Sequence, residues 1–588
     1  MHLKCRVRRK DGKEHRTWSI VESRRVAGRV VHHHVLYLGE VNDRQRASWE
    51  KAVSVVDESS GAVQQMELLP EDRQISESEV DAVRVRLSAM SLERPRQWGA
   101  CWLADTLWRE LHLESFFGDK LGSSREGTDW EKVLRVLVIY RLLSPGSEWR
   151  LHRQWFGTTA LPDLLGVDER AVQPATLYRC LDLLLTNKEA LFAHLRERWR
   201  DLFAARYEIL LYDLTSTYFE CDVPEDENDP RRFGYSRDRR SDCVQVVIAL
   251  VVTPEGLPLA YEMLPGNTAD KTTLLSMLEL VQKRHGQAQR IWVMDRGVPT
   301  EAALEQMRAG TPPVHYLVGT PKGRLSRMEA ALSERPWVEV RAQLRVKCVP
   351  EDGEVYVLTE SPARVSKERS MRRRAMKKYW KRLGELCELK ATKRDELLLK
   401  LGKAAGEAGA AARLIDTTVS PQGVLTYQLN REKLRIVRRR EGRYLLRTNL
   451  TDYEPDALWR YYMQLVFVEE AFRTLKGDLA IRPVYHQKSD RIESHLFVAF
   501  LAYCLSITLR QQLRGLAGGI MPRTVFEKLA TVQMLDVRIP TTDGRELLLI
   551  RRTEPASDVA LVLQQLHLEL PAQPPPRIRT PAPAKSAL

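Results

Sequence analysis

Neither paired cysteines nor a long apolar run occurs in this chain. Its 8 cysteines are scattered, with no CxxC pair, which argues against zinc sites and disulfide frameworks and fits a reducing cytoplasm. The most apolar run, Leu496 to Leu509, is roughly 14 residues, too short to span a bilayer and better suited to a buried helix. The opening MHLKCRVRRKDGKEHR has no apolar signal core. No membrane partner is expected, and a cytoplasmic protein is.

Charge of one sign is in excess. Lys and Arg number 92 against 78 Asp and Glu, a net charge of +14 with a pI near 9.3. Such an excess favours a polyanionic partner, most commonly nucleic acid, although charge alone leaves an ordinary basic soluble protein open. With 43% hydrophobic and 29% charged residues, a sizeable core can form and wholesale disorder is excluded. The 588 residues allow about three or four domains.

Residues 1–60 alternate, as in RVVHHHVLYLGEV, and read as a small N-terminal β unit. His32, His33 and His34 cannot converge on one ion, because consecutive strand residues face opposite ways. A polar stretch near 57–95 reads as a linker. Residues 96–205 are helical, with a break at Ser144-Pro145-Gly146. Within them PATLYRCLDLLL is a candidate second helix of a helix-turn-helix DNA reader, with a plain packed helix as the alternative. From 206 the period becomes that of an α/β unit. YEILLYDLT is an apolar strand, and CVQVVIALVV and LPLAYEML flank the hairpin signal Pro254-Glu255-Gly256. A helix over DKTTLLSMLELVQKR then leads to RIWVMD, a short helix and VHYLVGT. Three strands, a helix, a strand, a helix and a strand is the order of a ribonuclease-H-like core, here over 206–324. An insertion over 325–450 carries strands (VEVRAQLRVKCV, EVYVLTE) and a long charged helix. The core resumes over 451–535 with a helix from about Asp456 to Leu475. Residues 536–588 are a C-terminal extension, disordered after Pro571, where proline and alanine dominate.

Asp213 ends the first core strand in this reading and Asp295 the fourth, so two carboxylates project from neighbouring strand ends. Like charges held close disfavour their own ionisation, so such a pair binds a proton or a cation. Carboxylates with few other ligands suit Mg²⁺ or Mn²⁺. A lone Asp at a strand end is often just a helix cap. In YYMQLVFVEEAFRTLKGDL, Tyr462, Glu469 and Lys476 stand seven apart, which returns each to within about 20° of one helix stripe. Along that stripe Glu469 lies roughly 10 Å from either neighbour. Glu470 is about 100° round the helix, which makes Glu469 the candidate ligand. An ordinary charged helix face remains the alternative. The densest basic segment, RSMRRRAMKKYWKR from Arg369 to Arg382, reads as a DNA-tracking helix or as a solvated helix face.

This helix resembles the signature Y-x2-R-x3-E-x6-K of DDE transposases from insertion sequences of one large bacterial superfamily, here Tyr462-x2-Leu465-x3-Glu469-x6-Lys476. Leu465 takes the arginine position, and Arg473, next to the same stripe, is a candidate substitute. YDLTSTYFE around Asp213, GYSRD at Gly234–Asp238, GNTAD at Gly266–Asp270, MDRG around Asp295, and the RP-x2-H and RI-x2-H runs between Arg482 and His495 are similar to that group and in its order. So is YLGEV near the start. The resemblance covers about residues 205–535.

It implies metal-dependent cleavage at transposon ends and strand transfer into target DNA, with two Mg²⁺ or Mn²⁺ ions. Asp213 would bridge the ions, and Asp295 and Glu469 would each complete one site. Tyr462, Arg473, Lys476 and Arg296 would hold DNA phosphates. The partner is double-stranded DNA, engaged as a homodimer by a cytoplasmic, nucleoid-associated protein. Two alternatives remain: a metal-dependent nuclease with the same core, and a non-catalytic DNA-binding transposase descendant. A cytoplasmic scaffold built on the charged helix leaves the ordered motifs unexplained.

Overall fold

An apolar run without alternation is the mark of a strand covered on both faces. In the computed structural model of the chain, the run Val244–Val252 is such a strand, buried along its whole length in a nine-stranded sheet. The structure describes residues 82–580 apart from 123, 125–126, 287–288, 321–335, 342–343, 390–393 and 517–518. Before residue 82 it describes the backbone of five strands only, so His32, His33 and His34 lie on a strand whose side chains are outside the described residues.

The chain divides into two compact units. One comprises Asn187–Gly477 with Ile481–Glu493; the other comprises Met1–Thr186, Asp478–Ala480 and Ser494–Leu588. The first holds the nine-stranded sheet: β1 Ile209–Phe219, β2 Val244–Val252, β3 Pro258–Pro265, β4 Ile291–Met294, β5 His315–Thr320, β6 Val338–Arg341, β7 Leu344–Glu351, β8 Glu354–Glu360 and β9 Arg443–Thr448. They run in the order β3-β2-β1-β4-β5-β9-β8-β7-β6. β4 is parallel to both β1 and β5, whereas β2 is antiparallel to β1 and to β3. Helices α1 (Leu274–His285) and α2 (Glu301–Ala309) cover one face. Leu274, Met277, Val281, Leu304 and Met307 pack there with Leu210, Tyr212, Val247, Ala249, Trp292 and Met294. The α/β class read from the sequence holds, with a large mixed sheet at its centre.

The stretch read as an insertion builds onto this same sheet. β9 pairs antiparallel with β5 on one side and β8 on the other. Between β8 and β9 lie the 26-residue helix α3 (Pro362–Cys387), a second helix, a two-stranded ribbon and the helix Arg431–Arg440. α3 carries the basic segment on a largely exposed surface, with Arg369 and Arg372 paired to Glu441. A buried ion network pins the join. The Glu354 carboxylate, 4% exposed, accepts from Arg447 at 2.8 Å and from Arg308 at 2.9 Å.

Three expectations are corrected. The stretch near 57–95 is not a bare linker: Val63–Pro70, Ala82–Val85 and Ser91–Gln97 are strands of a seven-stranded sheet, paired with Val53–Asp57 and with strands from residues 533–579. The polar composition of Ser91–Gln97 reflects a half-exposed strand, which buries only Arg96. Nor is the tail structureless from Pro571, because Arg577–Arg579 pairs with Glu546–Arg552 and Val53–Asp57. Such long-range pairing has no local signal. Thirdly, the helix from Asp456 to Leu475 is two helices, α4 (Pro455–Met463) and α5 (Leu465–Arg473), followed by a wide π-type turn over Thr474–Asp478.

Elsewhere, the candidate reader segment forms the helix Pro174–Asp182, with Leu177, Cys180 and Leu181 buried. Ser489–Leu513 is long and apolar enough to cross a membrane by length and composition, yet Leu496, Phe500, Cys504 and Leu509 along it are buried in the protein.

Removing one partner of a buried ion pair strands the other charge, at a cost of about 3–5 kcal/mol. Arg308 keeps a hold on Glu354, so we expect Arg447→Ala to cost about 3 kcal/mol, the lower end of that range, in urea denaturation of the full chain. A loss under about 0.5 kcal/mol, the size of a plain surface substitution, would show that this network does not secure the join.

Candidate active site

The site starts from one register. Met294, the last residue of β4, pairs with Tyr212 of its parallel neighbour β1. The next residues, Asp295 and Asp213, therefore come level on strands about 4.8 Å apart. β4 stops there, but β1 does not. It continues to Phe219 because β2 pairs with it as far as Val244, so Asp213 lies mid-strand and not at a strand end. Neither aspartate is spent as a helix cap: Thr300 caps α2 by accepting from the Ala303 N–H at 3.1 Å. Asp213 is half-buried and Asp295 exposed. Burial pushes the Asp213 carboxyl from its ordinary 3.8 up to about 6; Asp295 and Asp270 add to the rise, while the Leu214 backbone and Arg237 oppose it.

Two loops close around Asp213. In the first, Gly234–Asp238, Arg237 donates to both carboxylate oxygens of Asp270 at 2.6 and 2.7 Å, tying it to the second loop, Gly266–Asp270. The glycines of both loops are there for close approach. A Cβ on Gly234 would lie 2.0 Å from the Gly266 carbonyl oxygen, and one on Gly266 would lie 1.9 Å from that of Gln245. The Gln245 amide stitches the loops together, donating to the carbonyls of Gly266 at 2.9 Å and Tyr235 at 3.1 Å.

The helical side supplies the remaining candidates, which do not form one straight stripe. Gln464 breaks it with a tight turn, its N–H donating to the Tyr461 carbonyl. Tyr462 ends up on α4 with its hydroxyl donating to Asp295 Oδ1 at 3.3 Å. Burial, then the Asp295 charge, pushes the phenol pKa up, so it remains a donor. Lys476 sits in the π-type turn and pairs with Asp238 at 2.9 Å, which Arg482 also engages. Burial works to raise the Asp238 pKa, but Arg482 and Lys476 hold it below the ordinary aspartate range. Glu469 lies on α5, which packs against β1 and β2. Its side chain is exposed, while Glu470 is half-buried, and Glu469 makes no hydrogen bond or ion pair among the described residues. Arg473 and Arg296 are exposed.

Residues 216–505 match the transposase DDE domain. The match spans just under half of the chain, begins three residues after Asp213, and includes Asp295, Glu469 and the Tyr462 helix. No curated protein matches the chain. Among solved structures it is similar to the piggyBac transposase synaptic complex with hairpin DNA, determined by cryo-EM. The identity is 10% and the TM-score 0.34, over 75% of this chain and 82% of that one.

Within the span of the DDE match, several residues escaped a sequence-based role. Arg237, Asp238 and Asp270 sit in motifs that were recognisable, but the pairing of Arg237 with Asp270 and of Asp238 with Lys476 and Arg482 was not. Gly319 on β5 had a faint signal, since a glycine inside a strand marks close backbone approach. An added Cβ there would lie 2.5 Å from the Tyr462 hydroxyl.

A donor set of neighbouring carboxylates, one of them driven toward protonation, fits a hard divalent cation. Its charge also sets the pH response of the metal-free chain. A carboxyl whose folded pKa exceeds its unfolded value contributes stability that is complete below about pH 4 and is lost as pH rises through about 6. We therefore expect metal-free Asp213→Asn to be more stable than the parent at pH 7.5, by on the order of 2 kcal/mol after solvent screening, and to differ little at pH 4. Urea denaturation at both pH values reads this out. An Asn variant less stable than the parent at pH 7.5 would contradict the crowded-carboxylate account.

Proposed function

We propose that this chain is a DNA transposase of the insertion-sequence type, which cleaves transposon ends and transfers the freed 3′-hydroxyl to target DNA. The observation that carries the reading is the pair Asp213 and Asp295, level on adjacent parallel strands, with Asp295 inside and Asp213 three residues before the stretch that matches the transposase DDE domain. The strand order β3-β2-β1-β4-β5, with β1, β4 and β5 parallel, supports a ribonuclease-H-like reading of the core.

In this proposal Asp213, Asp295 and Glu469 hold two Mg²⁺ or Mn²⁺ ions, Glu469 reaching in from α5. The ions supply Lewis acidity for an in-line displacement at phosphorus. The chain's own residues bind and orient. Asp213 gives up its proton to bind metal, so affinity rises with pH through about 6. Arg237 is fixed by Asp270 beside Asp213 and limits how far the two carboxylates repel. Exposed Arg473 and Arg296 are the cations free to meet a DNA phosphate, and Lys476 can do so only by leaving Asp238. The exposed cations of α3, Arg373, Arg374, Lys377 and Lys378, extend a surface for duplex DNA. A homodimer bridging two ends completes the proposal.

Cleavage and joining are tested with DNA carrying the inverted repeats that flank the reading frame. We expect both to require Mg²⁺ or Mn²⁺ and to stop in excess chelator. Asp213→Ala should lower cleavage by about 10³-fold or more, since metal supplies several kcal/mol of transition-state stabilisation, while end binding stays within a few fold. Cleavage undiminished by chelator would sink the metal mechanism, and cleavage without joining would identify a nuclease.

A further inference from the structure

Asp295 is exposed, follows directly on a strand end and caps no helix, so something else must set its orientation. The Tyr462 hydroxyl meets its Oδ1 at 3.3 Å. The ring also packs near Tyr444 and Trp459, at centroid distances of 6.3 and 6.4 Å. It reaches Asp295 only because β5 has no side chain at Gly319. A Cβ there would come within 2.5 Å of the phenol oxygen, 3.3 Å of its Cζ and 3.3 Å of the Arg296 backbone nitrogen. Gly319 is not among the positive-φ glycines, so this position uses glycine for space and not for backbone freedom. A glycine inside a strand forfeits packing and loses entropy on folding, and the phenol is what occupies the space left.

We propose that Tyr462 is a positioning residue: its hydroxyl holds Oδ1 of Asp295 so that Oδ2 is presented to a divalent cation, and Gly319 is the space that admits it. The inference rests on the reading of Asp295 as a metal ligand. It takes the hydroxyl away from DNA, where the transposase resemblance would put it. Hydrogen bonds that orient ligating carboxylates change metal affinity by about 10–100-fold, so the arrangement predicts a measurable effect without any DNA present.

The test is Mn²⁺ titration of the full-length chain without DNA, read by the EPR signal of free Mn²⁺, beside duplex-DNA binding at several salt concentrations. Tyr462→Phe removes only the hydroxyl and should weaken Mn²⁺ binding about 10-fold, leaving duplex-DNA affinity at each salt concentration unchanged. Gly319→Ala should weaken Mn²⁺ binding in the same way. The double variant should be no weaker than the worse single, because both act through one bond. If Gly319→Ala fails to fold, Tyr462→Phe still decides the matter. Asp295→Ala separates the two levels of the argument. If it binds Mn²⁺ like the parent, Asp295 is no ligand, and the metal reading falls with this inference. If it loses Mn²⁺ binding while Tyr462→Phe binds as well as or better than the parent, only the positioning role is overturned. Duplex-DNA affinity lowered about 10-fold at every salt concentration in Tyr462→Phe, with Mn²⁺ binding intact, would assign the hydroxyl to a phosphate instead.

Discussion

Met294 pairs with Tyr212, and that single step of parallel register brings Asp295 level with Asp213. A slip of one residue would turn either carboxylate to the opposite face of the sheet. The register is held by burial. Tyr212, Trp292 and Met294 are all within the core packed under α1 and α2, and moving any of them would expose large apolar side chains. β1 then continues past the end of β4 with β2 as its partner. This leaves a notch in the sheet beside Asp213, where the loops Gly234–Asp238 and Gly266–Asp270 gather.

Around that pair, charge is managed locally. Asp270 is neutralised by Arg237, and Asp238 by Lys476 and Arg482. Asp213 and Asp295 are left with no ion-pair partner among the described residues. The carboxylates that have cations are the flanking ones, and those that lack them are adjacent on the sheet. Such a distribution stores electrostatic cost at one point, which a divalent cation would relieve. The sheet extension by β9 and β8, locked through Glu354, Arg447 and Arg308, steadies β5, the strand that carries Gly319.

Much of this was legible in the residues. The strands carrying Asp213 and leading to Asp295 announced themselves by apolar runs, although Asp213 lies mid-strand and not at a strand end, and the motif order pointed to a DDE transposase. The seven-residue spacing of Tyr462, Glu469 and Lys476 identified a helical segment but assumed an unbroken helix. Gln464 breaks it with neither glycine nor proline to signal the turn. The contact of Tyr462 with Asp295 had no local signal, because the two are 167 residues apart and its access depends on Gly319 in another strand. Ser91–Gln97 and the tail strand Arg577–Arg579 each have a partner hundreds of residues off in the chain, in Gln533–Pro540 and Val53–Asp57 respectively, beyond any local pattern.

The central claim is that Asp213 and Asp295 hold divalent metal together with Glu469. Anomalous diffraction from crystals of the chain soaked in Mn²⁺ tests it most directly. The account predicts manganese between the Asp213 and Asp295 carboxylates, with Glu469 supplying oxygen at about 2.0–2.2 Å, as for a small hard cation. Manganese bound elsewhere, or at that pair with Glu470 in place of Glu469, would contradict it.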